Sequence, residues 1–245
     1  MKDKGILAVT GASRGIGAGI ARKLVDKGYR VGCLSRKGDL PAGVSDREAV
    51  QCIPIACDVT HQESLKQAFA ILAEHGPITG LVNNAGIHLD GPSATFSLAD
   101  YDQVMQTNTS SVFLASQSVY PHLKKSGGGL IINIGSFFDK LGVRNNLAYC
   151  ASKAAVGAIT RCLAVEWAAD AIRVLNVAPG YIVTDLNAKV MEAGPLRAYL
   201  EKRIPAKQPG SVSDVADLVA ALFTIDLRFM SGETIYIDGA QGIAH

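Results

Sequence analysis

The chain has 245 residues, 48% of them hydrophobic, with 25 glycines and a formal net charge of +2. That length and apolar content suit a sizeable α/β core built on buried parallel strands joined by tight turns. So small a charge excludes an electrostatic case for nucleic acid or an anionic membrane surface as the main partner.

Ile6–Thr10 is a short apolar run without polar alternation, which predicts a strand buried on both faces. Gly11-Ala12-Ser13-Arg14-Gly15-Ile16-Gly17 follows at once, and a helical pattern runs on to about Lys27, with Gly28 as its stop. Strand, glycine-rich turn and helix are the first half of a dinucleotide-binding unit. The glycines let backbone approach a pyrophosphate, and the helix N-terminus offers free N–H groups and a positive dipole end. The spacing is G-x-x-x-G-x-G rather than G-x-G-x-x-G, but it lies in the required strand-to-helix context.

Tyr29–Leu34 predicts the second strand. NAD-binding folds commonly place an acid after it for the ribose 2′-hydroxyl; this chain has Ser35-Arg36-Lys37. A carboxylate repels a 2′-phosphate, whereas guanidinium and ammonium groups attract it, and Arg14 is a second candidate for the same group. NADP is therefore favoured over NAD.

A loop and short helix fill Gly38–Val50, and Cys52–Ala56 predicts a third strand ending at Asp58-Val59. Thr60 is expected to cap the next helix, with Glu63 completing a capping box, and that helix runs to about His75 before Gly76-Pro77. Ile78–Val82 is a fourth strand, closed by Asn83-Asn84-Ala85-Gly86, and His88 just beyond it is either a pocket-lining residue or, as a lone His more often is, incidental. Asp100 to about Lys125 reads as one long helical stretch that contains Asn108 and bends or restarts at Pro121. Leu130–Ile134 is the fifth strand, ended by Gly135-Ser136. Ala148–Ala168 is strongly helical, and Ile172–Val177 is the sixth strand, followed by Ala178-Pro179-Gly180. The charged, proline-bearing stretch Leu186–Gly210 reads as an irregular lid with a short helix near Leu196–Lys202. Asp214–Phe223 returns to helix, and Thr234–Ile237 is a last short strand.

Strands alternating with helices predict a single α/β domain over residues 1–245, a Rossmann-type doubly wound parallel sheet with helices on both faces. In such sheets ligands bind beyond the carboxyl ends of the strands, where Gly11–Gly17, Arg36, Asp58, Asn84, Ser136 and Pro179-Gly180 all fall. The helix after Ser136 adds Tyr149-Cys150-Ala151-Ser152-Lys153, which sets Tyr149 and Lys153 one turn apart on one helix face. A phenol of pKa about 10 is a poor base at neutral pH. A neighbouring ammonium favours the phenolate, so the pair is suited to pass a proton to or from a substrate oxygen. Five cysteines (Cys33, Cys52, Cys57, Cys150 and Cys162) without a Cys-x-x-Cys indicate neither a disulfide framework nor a zinc site. The charged start at Met1–Gly5 and the absence of a long apolar run predict no signal peptide, no membrane span and a cytoplasmic protein.

Thr10-Gly11-x-x-x-Gly15-Ile16-Gly17, Asn83-Asn84-Ala85-Gly86, Ser136, Tyr149-x-x-x-Lys153 and Pro179-Gly180 resemble the short-chain dehydrogenase/reductase family in order and spacing, over essentially the whole chain. The likeness is nearest to 3-oxoacyl-carrier-protein reductases and related carbonyl or sugar dehydrogenases. It implies an NADP-dependent oxidoreductase, without a metal, that interconverts a secondary alcohol and a ketone. Tyr149 would be the general acid and base, and Lys153 would lower its pKa and hold the nicotinamide ribose. Ser136 would donate to the substrate oxygen, and Asn108 would hold a water linking Lys153 to solvent. Asp58 and Val59 would contact adenine, Asn84 would lie near the cofactor ribose, and Ile182 and Thr184 near the carboxamide. The resemblance also implies a homotetramer acting on a small-molecule carbonyl or alcohol. Phe137, Phe138 and Tyr181 suggest partly apolar substrate contacts.

Two departures bear on the reading. Asn176 is displaced by one from its usual place, which predicts a local packing change. Fatty-acid-synthesis reductases tend to carry Arg just before the fifth and sixth strands, where Gly127 and Asp170 stand here beside Lys124 and Lys125. The basic face for an acyl carrier protein is correspondingly thin. A sugar, polyol or other small-ketone dehydrogenase, and a nucleotide-binding sensor without turnover, are the alternatives.

Overall fold

The computed structural model describes residues 4–191 and 194–244. Along them run strands β1 (Ile6–Thr10), β2 (Arg30–Ser35), β3 (Cys52–Ala56), β4 (Ile78–Asn83), β5 (Gly129–Ile134), β6 (Ile172–Pro179), β7 (Ile182–Val183), β8 (Gly210–Ser211) and β9 (Thr234–Ile237). The α-helices are α1 (Gly15–Asp26), α2 (Asp46–Ala49), α3 (Gln62–Glu74), α4 (Leu98–Met105), α5 (Ser111–Lys125), α6 (Leu147–Trp167), α7 (Ala188–Met191), α8 (Gly194–Arg203) and α9 (Val212–Thr224).

Seven strands form one parallel sheet in the order β3-β2-β1-β4-β5-β6-β9, while β7 and β8 pair separately. Both faces are covered, so the strands read as apolar runs. On β1, Leu7 and Val9 join a core with Ile20 and Leu24 of α1 and Val215 and Val219 of α9. Ile6 and Ala8 point the other way, into a second core with Leu65, Phe69 and Leu72 of α3, Val119 and Leu123 of α5, and Leu163 of α6. The period-two alternation thus divides one strand between two cores. Pro54 sits within β3, where it is tolerated because β3 is an edge strand. The strand order reverses between β1 and β4, and the crevice beyond their carboxyl ends is the place such sheets offer a ligand.

Several local expectations are corrected. Thr60 does not form a capping box with Glu63: its hydroxyl donates to the Asp58 carboxylate at 2.7 Å, and His61 takes the cap position without a side-chain bond. The Asp58 carboxylate accepts from both the N–H and the hydroxyl of Thr60, which draws Thr60 into the preceding turn, so the helix begins one residue later than expected. The stretch from Leu98 to Lys125 is not interrupted at Pro121, which lies inside α5; the irregularity is a π-helical turn over Gln106–Ser110, around Asn108. The segment after β7 is more regular than expected, forming α7 and α8; Met191, Leu200 and, just beyond α8, Ile204 make a small core of their own with Tyr181 and Val183. The strands of the β7–β8 ribbon have two residues each, too few to carry a periodicity in the sequence. Gly28 ends α1 as expected, at φ +80° with its N–H on the Val25 carbonyl at 2.8 Å.

Proline inside α5 lacks the N–H that would reach the Gln117 carbonyl. Pro121 is exposed, so a smaller side chain leaves no cavity. Pro121→Ala should therefore raise stability by about 1–2 kcal/mol, the restored helical bond outweighing the greater freedom of the unfolded chain. Urea unfolding of the two proteins side by side measures it.

Candidate active site

Thr10 ends β1 with its hydroxyl donating to the Val82 carbonyl of β4 at 3.4 Å and accepting from the N–H groups of Asn84 and Ala85 at 3.0 and 3.1 Å. Asn84 returns the contact: its Nδ2 donates to the carbonyls of Thr10 and Gly11 at 3.0 and 3.2 Å. The glycine-rich turn and the Asn83–Gly86 turn are therefore one braced unit. Gly11 and Gly15 take φ of +64° and +55°, where other residues are strained. A Cβ on Gly17 would stand 2.2 Å from the Gly11 carbonyl oxygen and 2.4 Å from Asn84 Nδ2, so only glycine lets α1 begin this close to the strand end.

This cradle fits a dinucleotide. Arg14 precedes α1 with no side-chain cap, and no acid stands in the first turn, so the helix presents its N–H groups and positive end to an anion. The Ser13 carbonyl accepts from the Ala42 N–H at 2.9 Å, Ile16 packs on the first core, and Arg14 is exposed. Arg36 and Lys37 stand exposed after β2, without an ion pair among the described residues. Asp58 uses one carboxylate oxygen on the Thr60 N–H and hydroxyl, which, with His61, holds its pKa below the ordinary value. Val59 packs on the second core. Across the crevice, the Gly180 N–H beyond Pro179 donates to the Ile237 carbonyl at 3.0 Å. Ile182 is buried in β7, and the Thr184 methyl approaches to 3.9 Å from where a Gly15 Cβ would be. Asn187, unremarked in the sequence, holds this segment: its Oδ1 accepts from the Thr184 N–H at 2.7 Å and its Nδ2 donates to the Ile182 carbonyl at 3.0 Å.

Ser136, Tyr149, Lys153 and Asn108 come together beyond β4 and β5. Ser136 is 6% exposed and its Oγ accepts from the Phe138 N–H at 3.3 Å. Burial raises the Tyr149 phenol above its ordinary pKa, while a bond with the Ser136 side chain acts in the lowering direction. Lys153 is 6% exposed, with Nζ donating to the Ile134 carbonyl at 2.8 Å and lying 5.7 Å from the centre of the Tyr149 ring. Desolvation lowers its pKa to about 8. The Asn108 amide, 1% exposed, accepts from the Ile87 N–H at 2.8 Å and donates to the Ile87 carbonyl at 2.9 Å and to Ser152 Oγ at 3.1 Å. Ser152 in turn donates to the Tyr149 carbonyl at 2.8 Å. Ser152 is the residue that sequence reasoning passed over; its only signal was a hydroxyl three positions after Tyr149. Gly86 matters for the same reason, since a Cβ there would meet Asn108 Oδ1 at 3.3 Å and Lys153 Nζ at 3.8 Å.

Asn176, displaced by one from the family's usual place, packs between β6 and its neighbours. It is fully buried on β6, its Nδ2 donating to Thr234 Oγ1 at 3.2 Å and its amide filling the space over Gly135, where a Cβ would stand 2.5 Å from Oδ1. His88 stands beside the site, its ring 4.8 Å from that of Tyr149.

A family model described as enoyl-(acyl carrier protein) reductase matches residues 11–240. The 3-oxoacyl-[acyl-carrier-protein] reductase MabA of Mycobacterium tuberculosis is 32% identical over 238 residues, covering 97% of this chain and 92% of its own. The D-threitol dehydrogenase of Mycolicibacterium smegmatis is 32% identical over 247 residues, covering 98% of this chain and 94% of its own. Among solved structures, a gluconate 5-dehydrogenase from Burkholderia cenocepacia J2315 in complex with NADP and tartrate superposes with a TM-score of 0.90 at 30% identity, covering 98% of this chain and 96% of that one.

The buried ammonium costs stability. A lysine lowered from 10.5 to about 8 carries a penalty on the order of 3 kcal/mol while both states are charged. Its bond to Ile134 returns about 1 kcal/mol that a Lys153→Met variant would lose. The variant should be about 2 kcal/mol more stable than the parent at pH 7. The folded parent sheds the proton first as pH rises, so the gap should shrink between pH 8 and pH 10.5. Thermal unfolding of both proteins across that range checks the sign.

Proposed function

The chain belongs to the short-chain dehydrogenase/reductase family, whose members are NAD(P)-dependent oxidoreductases, and we propose that it reduces ketones to secondary alcohols with NADPH, reversibly. The observation that carries this reading is the meeting of the Tyr149 phenol, the Ser136 hydroxyl and the buried Lys153 beyond β5, across the crevice from the glycine-rich turn. The bound nicotinamide supplies or accepts the hydride. In reduction, Tyr149, kept neutral by burial, gives its proton to the substrate oxygen. Ser136 donates a hydrogen bond to the same oxygen as negative charge develops there. Lys153, charged below about pH 8, stabilises the phenolate left on Tyr149 and also reaches the ribose hydroxyls. Asn108, braced on Ile87, holds the path by which Lys153 is reprotonated from solvent. Oxidation runs the same steps in reverse.

Gly11, Ser13, Arg14, Gly15, Ile16 and Gly17 form the cofactor's phosphate cradle, with Arg14 and Arg36 on the 2′-phosphate. Asp58 and Val59 take the adenine. Asn84 acts on the ribose side by fixing the turn, and Pro179, Gly180, Ile182 and Thr184 flank the carboxamide. The segment with α7 and α8 closes over the substrate as a lid within one domain, 1–245. Exposed Leu98, Phe113 and Val165 on α4, α5 and α6 support assembly as a homotetramer. Among the described residues no helix is long and apolar enough to cross a membrane, which agrees with a cytoplasmic enzyme.

On substrate, a specific observation weighs against a carrier-protein thioester. Lys124, one of the two lysines near the expected docking face, is tied to Asp170 at 2.9 Å, and the Tyr120 hydroxyl donates to the same carboxylate at 2.6 Å, which leaves Lys125 as the unpaired cation there among the described residues. A sugar-derived or other small ketone is favoured over a 3-oxoacyl carrier protein.

Tyr149→Phe should lower the rate of NADPH-dependent ketone reduction by about 100-fold to 10,000-fold while NADPH still binds. Steady-state rates with a cofactor-fluorescence titration test it, and retained turnover would sink the mechanism. Arg36→Asp should shift the kcat/KM ratio of NADPH to NADH by about 10-fold to 100-fold towards NADH, through loss of a charge-assisted bond and added repulsion. An unchanged ratio would remove Arg36 from the 2′-phosphate.

A further inference from the structure

Tyr149 has two unlike neighbours. Phe138 meets its ring edge-on at 6.0 Å and packs onward against Tyr181, an apolar wall. His88 meets the same ring at 4.8 Å and an angle of 69°, and it is exposed, so a ligand that reaches the phenol also reaches the imidazole.

The proton on His88 can be assigned. Asn146 Nδ2 donates to the Arg144 carbonyl at 2.9 Å, which leaves Asn146 Oδ1 facing His88 Nε2. An amide oxygen only accepts, so in the neutral ring Nε2 carries the proton and Nδ1 is the acceptor. Nδ1 has no partner among the described residues. The holder is itself braced: the Gly91 N–H donates to the Asn145 carbonyl at 2.9 Å, and the Asn146 carbonyl receives the Cys150 N–H at 2.9 Å as α6 begins. The helix that carries Tyr149 therefore also sets the imidazole beside it.

We propose that His88 is a specificity-determining residue of this site. Its Nδ1 accepts a hydrogen bond from a hydroxyl on a carbon next to the reacting ketone, so the enzyme prefers hydroxy-ketones to ketones with plain alkyl arms. The proposal rests on the functional reading of Tyr149 given above. A 3-oxoacyl thioester has no O–H or N–H on either carbon flanking its ketone and leaves this acceptor unused, which agrees with the pairing of Lys124 to Asp170. The substrate's other arm meets Phe138 and Tyr181.

The test compares 3-hydroxybutan-2-one with butan-2-one, each reduced with NADPH by the parent, His88→Phe and His88→Gln. Phenylalanine keeps an aromatic ring against Tyr149 and removes the acceptor; glutamine restores one. The parent should favour the hydroxy-ketone. His88→Phe should lower kcat/KM for it about 3-fold to 10-fold, mainly through KM, and leave butan-2-one within about two-fold. His88→Gln should recover part of the loss. Equal losses on both ketones, no loss on either, or a parent without the preference overturns the role of His88. If the parent reduces neither ketone, the substrate class is wrong and the proposal falls. The functional reading is decided separately, by whether Tyr149→Phe abolishes turnover of any ketone in a wider panel.

Discussion

Lys153 carries an ammonium into a place only 6% exposed, and desolvation brings its pKa down to about 8, with no carboxylate paired to it among the described residues. What holds it is the Ile134 carbonyl at 2.8 Å, a backbone group that is free only because β5 ends there. Much of the site follows from housing this charge. Gly86 leaves the room, Asn108 turns its amide to Ile87 and Ser152, and Ser152 reaches back to the Tyr149 carbonyl. Its neighbour Tyr149 is a phenol that burial raises above its ordinary pKa.

Such a group needs a floor that does not shift. Beneath the site Asn83 Nδ2 donates to Asn133 Oδ1 at 2.9 Å and to Ser116 Oγ at 3.1 Å, and Asn133 Nδ2 donates to Thr160 Oγ1 at 2.9 Å. All four residues are buried, so their bonds are made in a medium where an unmade one is costly. They join β4, β5, α5 and α6, the elements that deliver Asn84, Ser136, Asn108 and Tyr149. The paired turns at Thr10 and Asn84 do the same for the cofactor side. The two halves meet where the strand order reverses, between β1 and β4.

Elements governed by short-range chemistry were legible in the chain. Buried parallel strands are apolar runs, α1 stops at a glycine able to take φ of +80°, and glycine-rich turns stand between strand and helix. The Tyr149–Lys153 spacing put both side chains on one helical face before any fold was known. Elements decided by competition between partners were not. Asp58 drew Thr60 into a turn through its N–H and hydroxyl and left the cap position to His61, and Pro121 was absorbed within α5 while the π-helical turn formed eleven residues or more earlier, over Gln106–Ser110. That turn carries Asn108 into contact with Ile87 and Ser152, and neither partner is near it in sequence.

The chain by itself therefore determined the alternation of strand and helix, the sheet's parallel character, the glycine-rich turn between strand and helix, the basic residues after β2 and the Tyr–Lys pair, because each depends on residues within a turn or two of one another. Tertiary structure alone decided that Lys153 is buried and lowered to about 8, that Asn84 braces the turn it follows, and that His88 lies against Tyr149 with its proton set by Asn146. Burial, desolvation and hydrogen-bond partnership across tens of residues arise only when the sheet brings its strand ends together, and no spacing along the chain encodes them directly.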